Sequence, residues 1–176
     1  MVTDKHVSIG LINPKSPTNV GAVMRAAGCY GVNEVYYTGT RFDRARKFHT
    51  DTKNITDSIP LVGVEDLKLA LTPSCKVVAV ELIEGATSLP QFTHPDEAFY
   101  IFGPEDGSLS KDVLAWCDDV VYIPTKGCMN LAATVNVLLY DRLAKSDDIV
   151  DGDDLIRQSR DANNKIVLSD ITKVIK

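Results

Sequence analysis

The chain has 176 residues, 44% of them hydrophobic and 24% charged, enough to bury a full core within one domain. A net charge of -5 and a pI near 5.1 exclude a protein coated in phosphate-binding charge, so any nucleic-acid surface must be a local patch. No apolar run approaches the roughly 18 residues of a membrane span and residues 1–6 show no charged-then-apolar leader, so a cytoplasmic protein without a membrane partner is expected.

In chain order, His6 to Ile12 reads as a short apolar strand, followed by the loop Asn13-Pro14-Lys15-Ser16-Pro17. Val20, Val23, Met24 and Ala27 then fall at helical spacing, with Thr18 or Asn19 as N-cap and Gly28 or Gly31 as the stop. Arg25 stands out on this small, apolar helix, and spacing alone leaves two readings open: an exposed arginine on the outer face, or a functional side chain. Asn33 to Thr38 reads as a second strand.

The segment from Arg41 to Lys53 follows as a basic loop, in which Arg41, Arg44, Arg46, Lys47 and Lys53 face only Asp43 and Asp51. Phe42 and Phe48 are interleaved. A solvated loop would look the same, but on an acidic chain this is the segment suited to phosphate, with rings able to stack on bases.

Ile59 to Val64 is a third strand, Glu65 to Leu71 a short helix, and Lys76 to Leu82 a strand whose centre, Val77-Val78-Ala79-Val80, does not alternate. Such a run suits a parallel strand covered on both faces. Residues 84–90 read as a loop. From Phe99 to Leu143 the pattern is strand, glycine loop, short helix, strand, second glycine loop and long helix. The two loops, Gly103-Pro104-Glu105-Asp106-Gly107 and Pro124-Thr125-Lys126-Gly127-Cys128, leave the carboxyl ends of apolar strands, the edge where open α/β sheets bind ligands. Asn130 lies at the start of the last helix. The alternation predicts an α/β class, a mainly parallel sheet flanked by helices. The domain is expected over residues 1–146, with residues 147–176 as a loosely attached acidic tail carrying one short helix near Leu155 to Arg160.

Cys29, Cys75, Cys117 and Cys128 are far apart with no C-x-x-C pair and are expected as free thiols. With His6, His49 and His94 equally scattered, no metal is predicted. There is no G-x-G-x-x-G, no G-x-x-x-x-G-K-[ST] and no G-x-S-x-G, which disfavours dinucleotide, P-loop and serine hydrolase chemistry.

Three stretches, Asn19-Val20-Gly21-Ala22-Val23-Met24-Arg25, Phe102 through Ser110, and Ile123-Pro124-Thr125 through Met129-Asn130-Leu131, resemble the successive motifs of SpoU-type (TrmH-like) RNA ribose methyltransferases of the SPOUT superfamily. The resemblance covers roughly residues 6–144. It implies a carboxyl-terminal deep trefoil knot, an exception to the rule that chains are unknotted, a homodimer, and S-adenosylmethionine held by the knot loops without a metal. It further implies that Val80, Gly103, Ile123, Cys128, Met129 and Leu131 line the cofactor pocket, largely through backbone. Asn19, Arg25, Glu105 and Asn130 match the family's polar site positions.

Two departures stand out. The family often has Ser-Leu-Asn where this chain has Cys128-Met129-Asn130, and a thiol is a poor substitute for a hydroxyl in hydrogen bonding. The amino-terminal RNA-binding extension of some relatives is also lacking, so RNA, whether tRNA or rRNA, is expected to be held by the catalytic domain, its dimer partner or another protein. The resemblance implies methyl transfer to a ribose 2'-hydroxyl. A SPOUT enzyme acting on a base nitrogen and a non-catalytic RNA-binding dimer are the alternatives, disfavoured respectively by the early N-x-G-x-x-x-R motif and by the joint presence of all four polar positions.

Overall fold

The computed structural model describes residues 5–47 and 59–171, which divide into two units, 1–145 and 146–176. In the first unit, strands β1 (Val7–Leu11), β2 (Glu34–Tyr37), β3 (Leu61–Gly63), β4 (Lys76–Val80), β5 (Thr87–Ser88), β6 (Ala98–Phe102) and β7 (Asp119–Tyr122) form one sheet in the order β3-β2-β1-β6-β4-β7-β5. Every pairing is parallel, with Ile9 opposite Tyr100 and Val78 opposite Tyr100 on either side of central β6.

The helices of this unit are α1 (Pro17–Cys29), α2 (Arg41–Arg46), α3 (Lys111–Leu114) and α4 (Leu131–Ala144). Successive side chains of β6 go to opposite faces. Ala98, Tyr100 and Phe102 join Val20, Val23 and Met24 of α1 and Val135, Leu138 and Leu139 of α4 in the larger core. Phe99 and Ile101 join Leu67, Val77, Ala79 and Leu109 in the smaller core beneath α3. Burial on both faces is why β4 and β6 carry no polar alternation.

Helix α1 starts earlier than its apolar spacing indicates. Its N-cap is Ser16, whose hydroxyl accepts from the Asn19 amide, rather than Thr18 or Asn19, because Pro17 has no N–H to lose at the first helical position. Gly31, at a φ of +67°, supplies the left-handed residue that turns the chain out of the helix.

The basic loop expected from Arg41 is a helix over its first six residues, and Phe42 is not free to stack on a base. It is 3% exposed, packed edge-on against Tyr37. Phe48, His49, Asp51 and Lys53 lie outside the described residues. Two other expectations change: the helix expected at 65–71 is a single 3-10 turn over Leu67–Ala70, and the loop at 84–90 contains edge strand β5 and the start of a second turn, Leu89–Gln91. Two residues of parallel ladder are too few to leave a periodic signature.

The second unit carries α5 (Asp153–Ser159) and α6 (Leu168–Ile171), one helix more than expected. Acidic Asp153 and Asp154 occupy the first turn of α5, where the helix dipole favours them, and Arg157 pairs with Asp154 at 3.2 Å. None of the described helices is long and apolar enough to cross a membrane.

Candidate active site

The carboxyl ends of β1, β6, β4 and β7 lie side by side, so the loops that leave them converge on one edge of the sheet. Between the loops after β4, β6 and β7 is a cavity of about 310 Å³. Val80, Gly103, Ile123, Cys128, Met129 and Leu131 all line it. Gly103 is required by close approach: a Cβ there would stand 3.3 Å from the Leu109 amide nitrogen and 3.5 Å from a Glu81 carboxylate oxygen. Thr125 closes the last loop by donating its hydroxyl to the Gly127 carbonyl at 2.6 Å. Glu81, Leu82 and Thr134, outside the three motif stretches, also line the cavity and were not expected there. For Glu81 and Leu82 the available signal was their place directly after Val80, at a strand end that faces the cavity.

Asn19 forms one hydrogen-bonded chain with Glu105 and Asn130, which themselves line the cavity. Asn130 is the N-cap of α4, its side-chain oxygen accepting from the Ala132 amide at 2.9 Å. Its amide nitrogen donates to the Asn19 side-chain oxygen at 2.9 Å. Asn19 in turn donates to Glu105 at 3.2 Å, and the Glu105 carboxylate also accepts the backbone N–H groups of Lys15 (2.8 Å) and Ser16 (3.0 Å). Burial by itself would raise the Glu105 carboxyl. The hydrogen bonds from Ser16, its own backbone, Lys15 and Asn19 outweigh that and hold its pKa below the ordinary value. Three loops distant in sequence are thereby pinned to one carboxylate.

Arg41 grips the neighbouring acid. Its guanidinium meets Asp106 through both terminal nitrogens at 2.9 Å and lies 3.9 Å from Glu105. Hydrogen bonding from Arg41 is the main cause that lowers the Asp106 pKa. Of the described basic residues expected to hold RNA, Arg41, Arg44, Arg46 and Lys47, Arg41 is thus occupied in holding the 103–107 loop. Arg46 pairs with Asp43 at 3.0 Å and lies over the Phe42 ring. Arg44 and Lys47 are exposed. Lys15, Arg41 and Arg44 border an open concavity of about 400 Å³ next to Asp106.

Arg25 is not part of this chain of contacts. It is exposed on α1, about 9 Å along the axis from Asn19 and roughly 240° around it, and no described residue makes a hydrogen bond or ion pair with its guanidinium. All four cysteines are free thiols, with Cys128 exposed, and no group of three metal-ligating side chains occurs among the described residues.

Residues 6–140 match the SpoU rRNA Methylase family. A curated relative, the 23S rRNA (guanosine-2'-O-)-methyltransferase RlmB of Nitrosomonas europaea, is 24% identical over 150 residues, 80% of this chain and 56% of its own length. This chain therefore spans little more than half of that relative. The fold is shared with the TrmH/SpoU tRNA modifying enzyme of A. aeolicus, at 19% identity and a TM-score of 0.68 over 78% of this chain and 74% of that one. It is shared also with the SpoU methyltransferase AviRb of Streptomyces viridochromogenes, solved with AdoMet, at 21% identity and a TM-score of 0.64 over 81% of this chain and 58% of that one. With the match spanning three quarters of its length, the chain belongs to the SpoU rRNA Methylase family.

Proposed function

We propose that the protein transfers a methyl group from S-adenosylmethionine to a ribose 2'-hydroxyl of tRNA or rRNA. The observation that carries this reading is the cavity at the carboxyl edge of the sheet, whose walls hold all six motif residues and whose rim is tied to α1 by the Asn19–Asn130 contact. The relatives' activities, a guanosine 2'-O-methyltransferase and an AdoMet-bound SpoU enzyme, agree with it.

The residues present suit this cofactor. Apolar Ile123, Met129 and Leu131 offer a surface for an adenine ring, Gly103 leaves room for close backbone approach, and among the described residues no lysine or arginine lines the cavity to attract a phosphate. When bound, S-adenosylmethionine supplies a methyl group already activated by its sulfonium, so the protein needs chiefly to align the hydroxyl and help its proton leave. Asn19, Glu105 and Asn130 act here as positioning residues that keep three loops in register. Arg25 stays protonated in a protein, so its role is to orient the ribose hydroxyl and adjacent phosphate and to stabilise the developing oxyanion, with the proton passing to phosphate or water.

Three further parts belong to the same reading. The segment after β6 is threaded as a trefoil knot, supported by the strand order that seats β6 between β1 and β4 and β7 beyond β4. The protein is cytoplasmic and its active form is a homodimer, the latter supported by the outward faces of packed helices α1 and α4: small Gly21 on one, Val137 (38% exposed) and Tyr140 (60%) on the other. Arg25 then works in a site completed by the partner. RNA runs over Arg44, Arg46 and Lys47, beside the open concavity, while residues 147–176 form a separate acidic tail.

The test is calorimetry with S-adenosylmethionine and S-adenosylhomocysteine, with methyl transfer to unmodified RNA followed in parallel. Micromolar binding is expected, lost or strongly weakened in Gly103→Val. A folded wild-type protein that binds neither ligand would end this reading.

A further inference from the structure

Among the described residues the cavity wall carries charge of one sign only. Glu81 and Glu105 line it, and no lysine, arginine or histidine does among the described residues. The two carboxylates differ in how far they are compensated. Glu105 accepts three hydrogen bonds from Lys15, Ser16 and Asn19 and has the Arg41 guanidinium 3.9 Å away. Glu81 makes no ion pair with any described residue. One of its oxygens accepts the Leu82 amide and the other the Leu109 amide, each at 2.9 Å. These two donors fix the carboxylate between the loops after β4 and β6 but leave its full negative charge facing the cavity.

We propose that Glu81 makes this cavity charge-selective, so that it holds the sulfonium form of the cofactor more tightly than the neutral thioether left after methyl transfer. The inference rests on the methyltransferase reading. When the sulfur–methyl bond breaks, the electron pair stays on sulfur and the ligand loses one positive charge, while the methyl carbon bonds to the ribose oxygen and the hydroxyl proton passes to phosphate or water. A carboxylate held in place by backbone donors cannot swing away to water, so its attraction for the ligand falls with that charge. Product release is favoured by the same step that makes the product.

Affinities are measured by calorimetry for three probes on wild type and Glu81→Gln: S-adenosylmethionine, S-adenosylhomocysteine, and the amine analogue sinefungin, whose protonated amine stands where the transferable methyl does, one bond from the sulfonium's position. Wild type is expected to prefer both cationic probes over S-adenosylhomocysteine by roughly two- to fivefold, the scale of a partly exposed charge pair, and Glu81→Gln to bring the ratio close to one. A purely structural role through the Leu109 contact would weaken all three probes alike, and an unchanged ratio in a folded variant overturns the proposal. Should Glu81→Gln fail to fold, wild type decides: the preference must shrink with added salt, and S-adenosylhomocysteine bound as tightly as the cationic probes at low salt overturns it. Loss of all three probes from folded wild type would instead defeat the methyltransferase reading as well.

Discussion

The side chain of Asn130 donates to that of Asn19 at 2.9 Å across 111 positions of sequence, and so ties the capped start of α4 to the first turn of α1. The oxygen of the same side-chain amide caps α4, so the residue has two separable jobs. Asn130→Ala should cost about 1–2 kcal/mol, mostly the cap, and lower the melting temperature by roughly 2–4 °C per kcal/mol in a chain of this size. Asn19→Ala should cost less. In the double variant the losses should fall short of their sum by at least about 0.5 kcal/mol, the coupling of a direct contact. Melting curves of the four proteins measure this, and strictly additive losses would show that the contact contributes nothing.

RNA affinity should depend unequally on the three arginine and lysine positions of α2 and its end. Arg44 and Lys47 are exposed and carry their full charge, whereas Arg46 already pairs with Asp43. Neutralising Arg44, Arg46 and Lys47 together should therefore flatten the salt dependence of RNA binding by about two phosphate contacts rather than three, each worth a slope of roughly 0.7–0.9. Cofactor affinity should stay constant. Filter binding across a salt series gives the slope, and an unaltered slope would assign the patch to ordinary surface. Arg41→Ala should act differently, loosening the 103–107 loop through loss of the Asp106 contact and weakening cofactor binding.

The contrast between Arg41 and Arg44 shows where sequence reading stops. Strands buried on both faces write themselves as unbroken apolar runs, as in Val77–Val80, and α1 shows its core face at helical spacing, so the α/β class and the ligand edge were legible. The six residues that line the cavity as expected were named by the motif resemblance, not by periodicity or loop composition. The fate of a charge is not local. Arg41 and Arg44 look alike in sequence, yet Asp106, 65 residues away from Arg41, takes one and leaves the other. Phe42 went inside because Tyr37 and α1 lie beneath it, and Glu81 acquired its place through an amide 28 residues on. Ser16 became the cap because Pro17, not the first apolar residue, opens the helix.

A buried histidine should shape stability against pH. His94, its side chain 5% exposed, lies 2.7 Å from the Tyr100 hydroxyl and 2.9 Å from Asp141, with Arg142 and Lys145 nearby. Burial lowers its pKa despite Asp141, just as burial pushes the Tyr100 hydroxyl up to about 12. The unfolded chain thus protonates this histidine near its usual pKa of about 6.5, while the folded protein does not until the pH is lower. Stability is fully present above about 6.5 and falls as pH drops from there towards the folded pKa. In His94→Gln the curve should be lower overall by about 1–3 kcal/mol but flatter between pH 7 and 5. Parallel curves for the two proteins in urea melts would show that His94 does not titrate in that window.

Arg25 is the residue on which function and ordinary surface chemistry part most sharply. It is exposed, and no described residue engages its guanidinium, so nothing in the fold calls for an arginine there. Arg25→Ala should leave the melting temperature within the effect of about 0.5 kcal/mol typical of surface changes, and S-adenosylmethionine affinity unchanged. If the guanidinium orients the 2'-hydroxyl and stabilises the oxyanion, methyl transfer should fall about 10²- to 10³-fold, the cost of removing one such donor. A solvated arginine would give near wild-type turnover. Arg25→Lys separates two chemical roles: lysine keeps the charge, loses the planar fork, and has a pKa that shifts more readily. Bidentate orientation predicts a poor enzyme at every pH, whereas a base at this position predicts activity that returns as the lysine deprotonates. Single-turnover rates of Arg25→Lys across pH 6 to 10 distinguish the two, and a recovery at high pH would reassign Arg25 from orientation to proton removal.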